Sequence, residues 1–557
     1  MGYALPNAME SPQPHTASSP SPASEPSPDL RFGTFTDRGP WVLEDPASLP
    51  WRARTKELRQ AARDEVPVLT HPTKLPPLGR FLGAGGRIGA ALVAWNFGER
   101  KRGLAESRAG LSRRLRRCFE VLGPAYIKLG QIVSSGKGIF PDELVDEFKL
   151  CRDQVPPEPF DTVRRVVEED LGRPLEQVFS SFDREALAAA SIAQVHAARL
   201  VTGEDVVVKV QRPQVASLVR ADIRAMSWIA PWLVGRIPVA GLANPPALVE
   251  LFAETVMEEL DFRLEGENML DIAHVLRDAG QTAIVVPRPH PELVTRRVLV
   301  MERLHGFKYD DVDGMRAAGI DTTAVLRAML ISFLEGAMIY GVFHGDLHGG
   351  NLMVMPDGRV ALFDYGMTGR MDEKQRHAFL RLMMTGAVND VKGQLGAFRD
   401  LGALPEDVDI RRLIRELKID QPVRDPTKMG SQELVSEIRE ILSALLAHGA
   451  KLPKHLMLYV KNMIFVDGSI AHYAPDLDIF AEVAHVYGYF ALKHGPRIMQ
   501  EIGFDPSTNP LDLAGMRAQL GIEDDIGSMS HRELVERRQT IQQRIEDAGG
   551  VPLTRGS

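Results

Sequence analysis

HGDLHGGN at His344–Asn351 is followed by Phe363-Asp364-Tyr365-Gly366, and these two units decide how the chain is read. Asp346 and Asn351 are five apart, and Asp364 lies thirteen beyond Asn351. Upstream, GAMIYGVF is an apolar run that ends at His344. Downstream, LMVM, a Pro-Asp-Gly turn and VALFD predict two short strands joined tightly. Asp346 and Asn351 then sit on a loop ahead of a hairpin, and Asp364 ends its second strand. A carboxylate, an amide and a second carboxylate surround one space. That set suits phosphoryl transfer: Asp346 orients or deprotonates an acceptor, while Asn351 and Asp364 hold magnesium on nucleotide phosphates. Two plainer readings compete. His344 and His348, four apart, would make a helical metal pair, but Gly345, Gly349 and Gly350 argue against a helix. A loop merely rich in Gly and Asp would not also carry Asp-Tyr-Gly at this distance.

Working outward, Leu187–Val210 predicts a three-stranded meander with a turn at Thr202-Gly203-Glu204. Lys209 stands in a VVVK context, where kinases place the lysine that grips the α- and β-phosphates. Read alone it would be a strand-edge lysine. The small-residue turn before it is where a glycine-rich phosphate loop belongs. Leu187, Ala188, Ala189, Ala190, Ser191, Ile192, Ala193, Gln194 and Val195 are therefore the candidate nucleotide contacts. Ala in place of Gly restricts φ and gives the backbone less freedom to approach phosphate. In the helical run VELFAETVMEELDFRLEGENML, Glu259, Asp261 and Glu265 are candidate functional acids. Glu265 is the expected partner of Lys209. Glu258 and Glu267 read as a solvated acidic face. Arg296–Met301 predicts a strand leading to a hinge at Glu302–Gly306, where Glu302 and Leu304 are candidate adenine contacts. Thr322–Tyr340 predicts an apolar helix into the central loop.

After Gly366, Met371-Asp372-Glu373 predicts a helix start, and no Ala-Pro-Glu follows in the next fifty residues. Gly345 also stands where protein kinases carry the arginine that reads a phosphorylated activation loop. A kinase-type nucleotide site without a peptide platform is expected.

The bounds agree. With 557 residues, 44% hydrophobic and 25% charged, the chain is ordinary for a globular protein of several domains. A net charge of −8 gives no case for nucleic acid. Two cysteines, Cys118 and Cys151, make no disulfide framework and point to a reducing compartment. No uninterrupted apolar run of about 18 residues stands out. The nearest, Met226–Ala243, contains Pro231, Arg236 and Pro238. The expected organisation is a disordered Pro/Ser-rich stretch over 1–50 and a helical extension over 51–180. A sheet-bearing part over 181–305, a helical part over 306–505 and a polar helical tail over 506–557 follow. In the extension, Arg113, Arg114, Arg116 and Arg117 oppose a stripe of Leu111, Leu115, Phe119 and Leu122. This is either a solvated basic face or a contact for an anionic membrane surface. Lys128, Gly130 and Gln131 form a KxGQ unit inside a helical run, ahead of a turn at Gly136–Pro141. A glycine there costs about 1 kcal/mol against alanine, so close packing would justify it.

Taken together, KLGQ at Lys128–Gln131, AAASIAQVH at Ala188–His196, VVVKVQRP ending at Pro213, ELDF at Glu259–Phe262, HGDLHGGN and DYG resemble the UbiB/AarF-like atypical kinases, a family linked to coenzyme Q biosynthesis. The resemblance runs from about Leu122 to Gly366. It implies an α+β, two-lobed protein-kinase-like fold with a KxGQ extension lying over the active site. It further implies ATP (or ADP) and Mg²⁺ as cofactors and a small lipophilic, quinone-pathway partner. Glu259 and Asp261 would sit near Lys128, and Glu265 would partner Lys209. Asp346 would be the acid-base position, and Asn351 with Asp364 would bind magnesium. Some bacterial members carry C-terminal spanning helices that this chain does not show, so the expected location is cytoplasmic, peripheral on the inner face of the membrane. Tyr365 replaces the usual Phe of DFG. A small-molecule kinase of the aminoglycoside or choline type shares the HGDLHxxN loop but is not expected to carry KLGQ or AAASIAQVH. A nucleotide-sensing scaffold without turnover is the third alternative.

Overall fold

In the computed structural model, residues 28–71, 77, 79–101, 104–134, 142–150, 156–233, 245–417, 448, 450, 453–519, 522 and 528–547 are described. The turn expected at Gly136–Pro141 lies outside them except at its flanks, as do residues 1–27.

The meander forms as its composition dictates. Strands β1 (Phe179–Phe182), β2 (Ala188–Ala189), β3 (Ala193–Leu200) and β4 (Asp205–Gln211) pair antiparallel, and Gly203 turns the chain at φ +108°. Strands β6 (Pro289–Val294) and β7 (Val298–Glu302) complete the sheet in the order β1-β3-β4-β7-β6, with β2 on β3. Alternation along β4 sorts its two faces. Val206, Val208 and Val210 are buried against Val163, Val166 and Val167 of the Phe160–Leu171 helix. Lys209 consequently faces the other way, over the Phe262–Asp278 helix.

The run expected as one helix is two, Pro245–Glu259 and Phe262–Asp278. Asp261 breaks it: its carboxylate caps the second helix by accepting from Arg263 N, as Asp does at helix N-termini. Glu258 and Glu267 are buried, not solvated. Glu267 accepts from Thr55 and Arg59 of the Thr55–Thr70 helix, which ties that helix down.

A second sheet, β5 (Ile284–Val285), β11 (Val360–Leu362), β10 (Leu352–Val354) and β8 (Phe307–Lys308), carries the expected hairpin. Strands β9 (Val342–His344) and β12 (Thr368–Arg370) form a third. Thr322–Glu335 is helical and continues as a π-turn over Gly336–Tyr340. By length and composition this 19-residue stretch could cross a membrane, but it is 72% buried inside the protein. The helices Glu373–Ala387, Lys454–Tyr473 and Ile479–Ile502 follow, and a polar helix, His531–Asp547, ends the described chain.

Two expectations need correction. The stretch over 1–50 was expected to be disordered, yet residues 28–50 are folded onto the sheet-bearing part. Phe35, Leu43 and Leu49 are buried, Thr34 N donates to Ala273 O, and Trp41 Nε1 donates to Pro289 O. Trp41 finds its partner 248 residues away, a signal no local composition carries. The arginine cluster, on the Leu104–Leu122 helix, is mostly paired within the extension. Arg113 meets Glu147 at 3.3 Å, Arg114 meets Glu99 at 2.8 Å, and Arg116 meets Glu120 at 2.7 Å. Its apolar stripe lies in the core as expected, with Leu111 wholly buried.

Candidate active site

Three motifs meet at Lys209. Its Nζ lies 2.7 Å from Glu265 Oε1 and 3.0 Å from Asp364 Oδ1, and it stands over the Phe262 ring. Burial disfavours the lysine's charge, but Asp364 and Glu265 outweigh it and hold its pKa above the ordinary value. Burial pushes Glu265 up to about 7 against the pull of Lys209. Asp364 is held well below the usual carboxylate range: burial opposes this, but Lys209 and Lys128 prevail. Asp364 also sits in the left-handed region at φ +56°, an uncommon conformation for a residue other than Gly. Such strain persists where surrounding contacts impose it. Here Gly366 N donates to its Oδ1, and Asn268 Nδ2 donates to Tyr365 O behind it. The Tyr365 hydroxyl that replaces Phe chemistry is satisfied by Leu362 O.

The central loop is braced from both sides. His344 Nε2 meets Phe363 O at 3.0 Å and its Nδ1 accepts from Asp346 N, so His344 is a structural residue. Asn351 donates from Nδ2 to Asp346 O and accepts Phe363 N at its backbone carbonyl, which joins the two motifs. Its amide nitrogen is committed to the loop, leaving the amide oxygen as the ligand it can offer a cation. With the Asp364 carboxylate this is an oxygen set of the kind magnesium takes beside phosphates. Gly345 is required: a Cβ there would stand 2.9 Å from Met367 O, in the backbone of the neighbouring segment. No arginine fits at this position.

One participant escaped sequence reasoning. Lys461, on the Lys454–Tyr473 helix, places Nζ 2.5 Å from Asp346 Oδ1. Burial alone would raise Asp346, but Lys461, Lys128 and His348 bring it down to about 2. The adjacent Asn462 accepts Leu347 N and donates to His344 O, clamping the loop to that helix. The helical periodicity of YVKNMIF marks neither residue as functional.

The KLGQ unit lies on the Pro124–Ser134 helix, with Lys128 and Gly130 buried. Lys128 Nζ is 3.0 Å from Glu259 Oε1, and Asp346 and Asp364 also act on its charge. Burial pushes Glu259 up, with Lys128 opposing. Its side chain rests on Gly366, where an added Cβ would come within 3.1 Å of Glu259 Cγ. Asp261 does not join Lys128; it caps its helix and pairs with Arg263 at 2.6 Å.

The expected phosphate loop divides. Leu187, Ala188 and Ala190 are exposed and Ala189 half-buried, while Ser191, Ile192, Ala193 and Gln194 are buried. Gln194 is tied to Glu158 N and His196 Nε2, and Ile192 belongs to the core. Ala190 N donates to Ala193 O, closing the turn, and Arg212 Nε donates to Ala190 O. Val195 lies in β3 opposite Lys209. At the hinge, the Glu302 side chain turns toward Thr36 and Arg288 and Leu304 is buried with Val285 and Ala361, so only their backbones are available to a base.

Residues 150–395 match the ABC1 atypical kinase-like domain. A chloroplastic aarF domain-containing protein kinase of Arabidopsis thaliana is 31% identical over 398 residues, 66% of this chain and 73% of that protein. The chain belongs to the UbiB/AarF family of atypical kinases. An uncharacterised protein of Mycobacterium tuberculosis is 34% identical over 391 residues, covering 67% of this chain and 76% of its own length. A probable protein kinase UbiB of Aeromonas hydrophila is 28% identical over 390 residues, 68% of this chain and 70% of that protein. The family gives the kinase-like fold expected from HGDLHGGN and DYG.

Proposed function

We propose that this UbiB-family chain binds Mg·ATP between its sheet-bearing and helical parts, as between kinase lobes, and acts as an ATPase or kinase toward a small lipophilic partner. The observation that carries this is Lys209 shared between Glu265 and Asp364, with Asp346 and Asn351 bound to the same motif pair. Bound magnesium would supply charge neutralisation on the phosphates, held by Asn351 and Asp364. Lys209 would orient the α- and β-phosphates, and Asp346 would align the acceptor hydroxyl. Two features favour a small acceptor over a peptide. Only Met367–Asp372 separates DYG from the next helix, and Thr368–Arg370 is committed to pairing with β9. Glu259 and the KLGQ helix lie over Gly366.

The lipophilic partner rests on a cavity of about 130 Å³ on the far side of the KLGQ helix. Tyr126, Leu129 and Val133 line it with Leu115, Phe119 and Met226. A cavity of this order holds roughly one aromatic ring. The lining is almost wholly apolar, which suits a hydrocarbon or aromatic portion of a ligand. Membrane contact, from the cytoplasmic side, would come through the Arg80–Phe97 helix rather than the paired arginines. Leu82, Val93 and Phe97 are exposed along one face of it, and its Ile88 and Leu92 line the cavity.

The test is ATP hydrolysis by the full chain with Mg²⁺, with and without a long-chain quinone in anionic vesicles. Lipid-stimulated turnover, diminished by Ala230→Leu at the cavity wall, is expected. Nucleotide binding with no turnover under any lipid condition would favour the sensing scaffold. Robust phosphorylation of a soluble amino alcohol would favour the aminoglycoside/choline type.

A further inference from the structure

We propose that Lys461 is the cation that stabilises the γ-phosphoryl group in flight, delivered to the site from a helix 115 residues beyond Asp346. The inference rests on the Mg·ATP reading above and adds a residue that none of the motifs contains.

Phosphoryl transfer spreads negative charge over the equatorial oxygens of the group in flight, and preorganised cations stabilise it. Each lysine of the site is held by a carboxylate, and which carboxylate sets what it can reach. Lys209 is held by Glu265 and Asp364, at the phosphates nearer the nucleoside. Lys128 is held by Glu259. Lys461 instead meets Asp346, the group that faces the acceptor. An aligning carboxylate lies about 3 Å from the acceptor oxygen. That oxygen lies about 3–3.5 Å from the phosphorus it attacks. The phosphorus therefore comes within roughly 6 Å of Asp346. An ammonium 2.5 Å from Asp346 Oδ1 is within a side-chain adjustment of the phosphoryl oxygens.

The placement is built, not incidental. Asn462 is fully buried and holds both Leu347 N and His344 O, so the Lys454–Tyr473 helix cannot drift relative to the loop. The Lys461 side chain is 15% exposed, which leaves it room to change partner. Without nucleotide it neutralises Asp346. With nucleotide it moves to the γ-phosphoryl oxygens and frees the carboxylate. The acceptor O–H, from water or a hydroxyl, then gives its proton to Asp346 as the O–Pγ bond forms. The bond from Pγ to the β-phosphate oxygen breaks, ADP leaves with that electron pair, and Lys461 stays protonated throughout.

The test uses the full chain and the variants Lys461→Met and Lys461→Arg, with calorimetric titration of Mg·ADP and Mg·ATP and single-turnover hydrolysis. Lys461→Met should bind Mg·ADP within about threefold of wild type, bind Mg·ATP about tenfold more weakly, and hydrolyse it about 100-fold more slowly. Lys461→Arg should recover most of the ATP affinity. Equal weakening of ADP and ATP, or loss of the cooperative melt in both variants, would assign Lys461 to structure and overturn the proposal. Unchanged ATP binding and turnover in Lys461→Met would do the same while leaving the Mg·ATP reading intact. A wild-type protein that binds neither nucleotide would remove both.

Discussion

Replacing Lys209 by Met should destabilise the protein in a pH-dependent way. At 2.7 Å, the gross attraction between Lys209 and Glu265 is about 6 kcal/mol at an effective dielectric of 20. Desolvation cancels most of it, so the pair contributes little net stability. Removing one partner of a buried pair ordinarily costs about 3–5 kcal/mol, because a charge is stranded. Glu265 has an escape, since burial already raises it to about 7 with the lysine present. Without Lys209 its pKa climbs further and it takes up a proton. A carboxyl raised in the folded state contributes stability at low pH that is lost as pH rises toward its folded pKa. The variant should therefore lose on the order of 1 kcal/mol more than wild type between pH 6 and 8. Denaturant melts of both proteins at the two pH values read this directly. Adding Glu265→Gln to the variant should abolish the extra pH dependence. An equal drop at both pH values, or a dependence that survives Glu265→Gln, would refute the coupling.

Other outcomes follow from the same geometry. Ala189→Gly and Ala190→Gly should change ATP and ADP affinities more than the melting temperature, because both lie in the accessible part of the small-residue turn; titration checks this. Deleting residues 1–50 uncovers the partners of Phe35, Leu43 and Leu49, worth roughly 5–9 kcal/mol of burial, and should leave little soluble protein on expression. Asp346, depressed from 3.8 to about 2, contributes stability above about pH 4 that is lost as pH falls toward 2. The stability difference between wild type and Asp346→Asn should thus narrow by about 2 kcal/mol between pH 5 and pH 2 in urea titrations.

What was legible in the sequence was local. Val206–Lys209 announces a strand by its β-branched run with a lysine at its end, HGDLHGGN and the hairpin after it announce a loop by their glycines and the Pro-Asp-Gly turn, and Asp372 announces a helix start that proves to be a capping box with Gln375. The helix break at Asp261 was there to be read as an N-cap, but the apolar periodicity running through it hid the signal. What was not legible depends on distant partners. Arg116 has Glu120 within one helical turn, but Arg114 and Glu99 are 15 residues apart and Arg113 and Glu147 are 34 apart, so nothing local separates those two arginines from lipid-facing ones. The same holds for Thr36 with Glu302, for Glu267 with Arg59, and for Lys461 with Asp346. In each, an unremarkable polar residue becomes important only when the fold brings its partner to it.

The most direct measurement is calorimetric titration of the full chain with ATP, with Mg²⁺ and then with EDTA, repeated on Asp364→Asn. One site is predicted that tightens with Mg²⁺ in the wild type and has no metal dependence in the variant. No binding by the wild type, or the same Mg²⁺ dependence in both proteins, would contradict it.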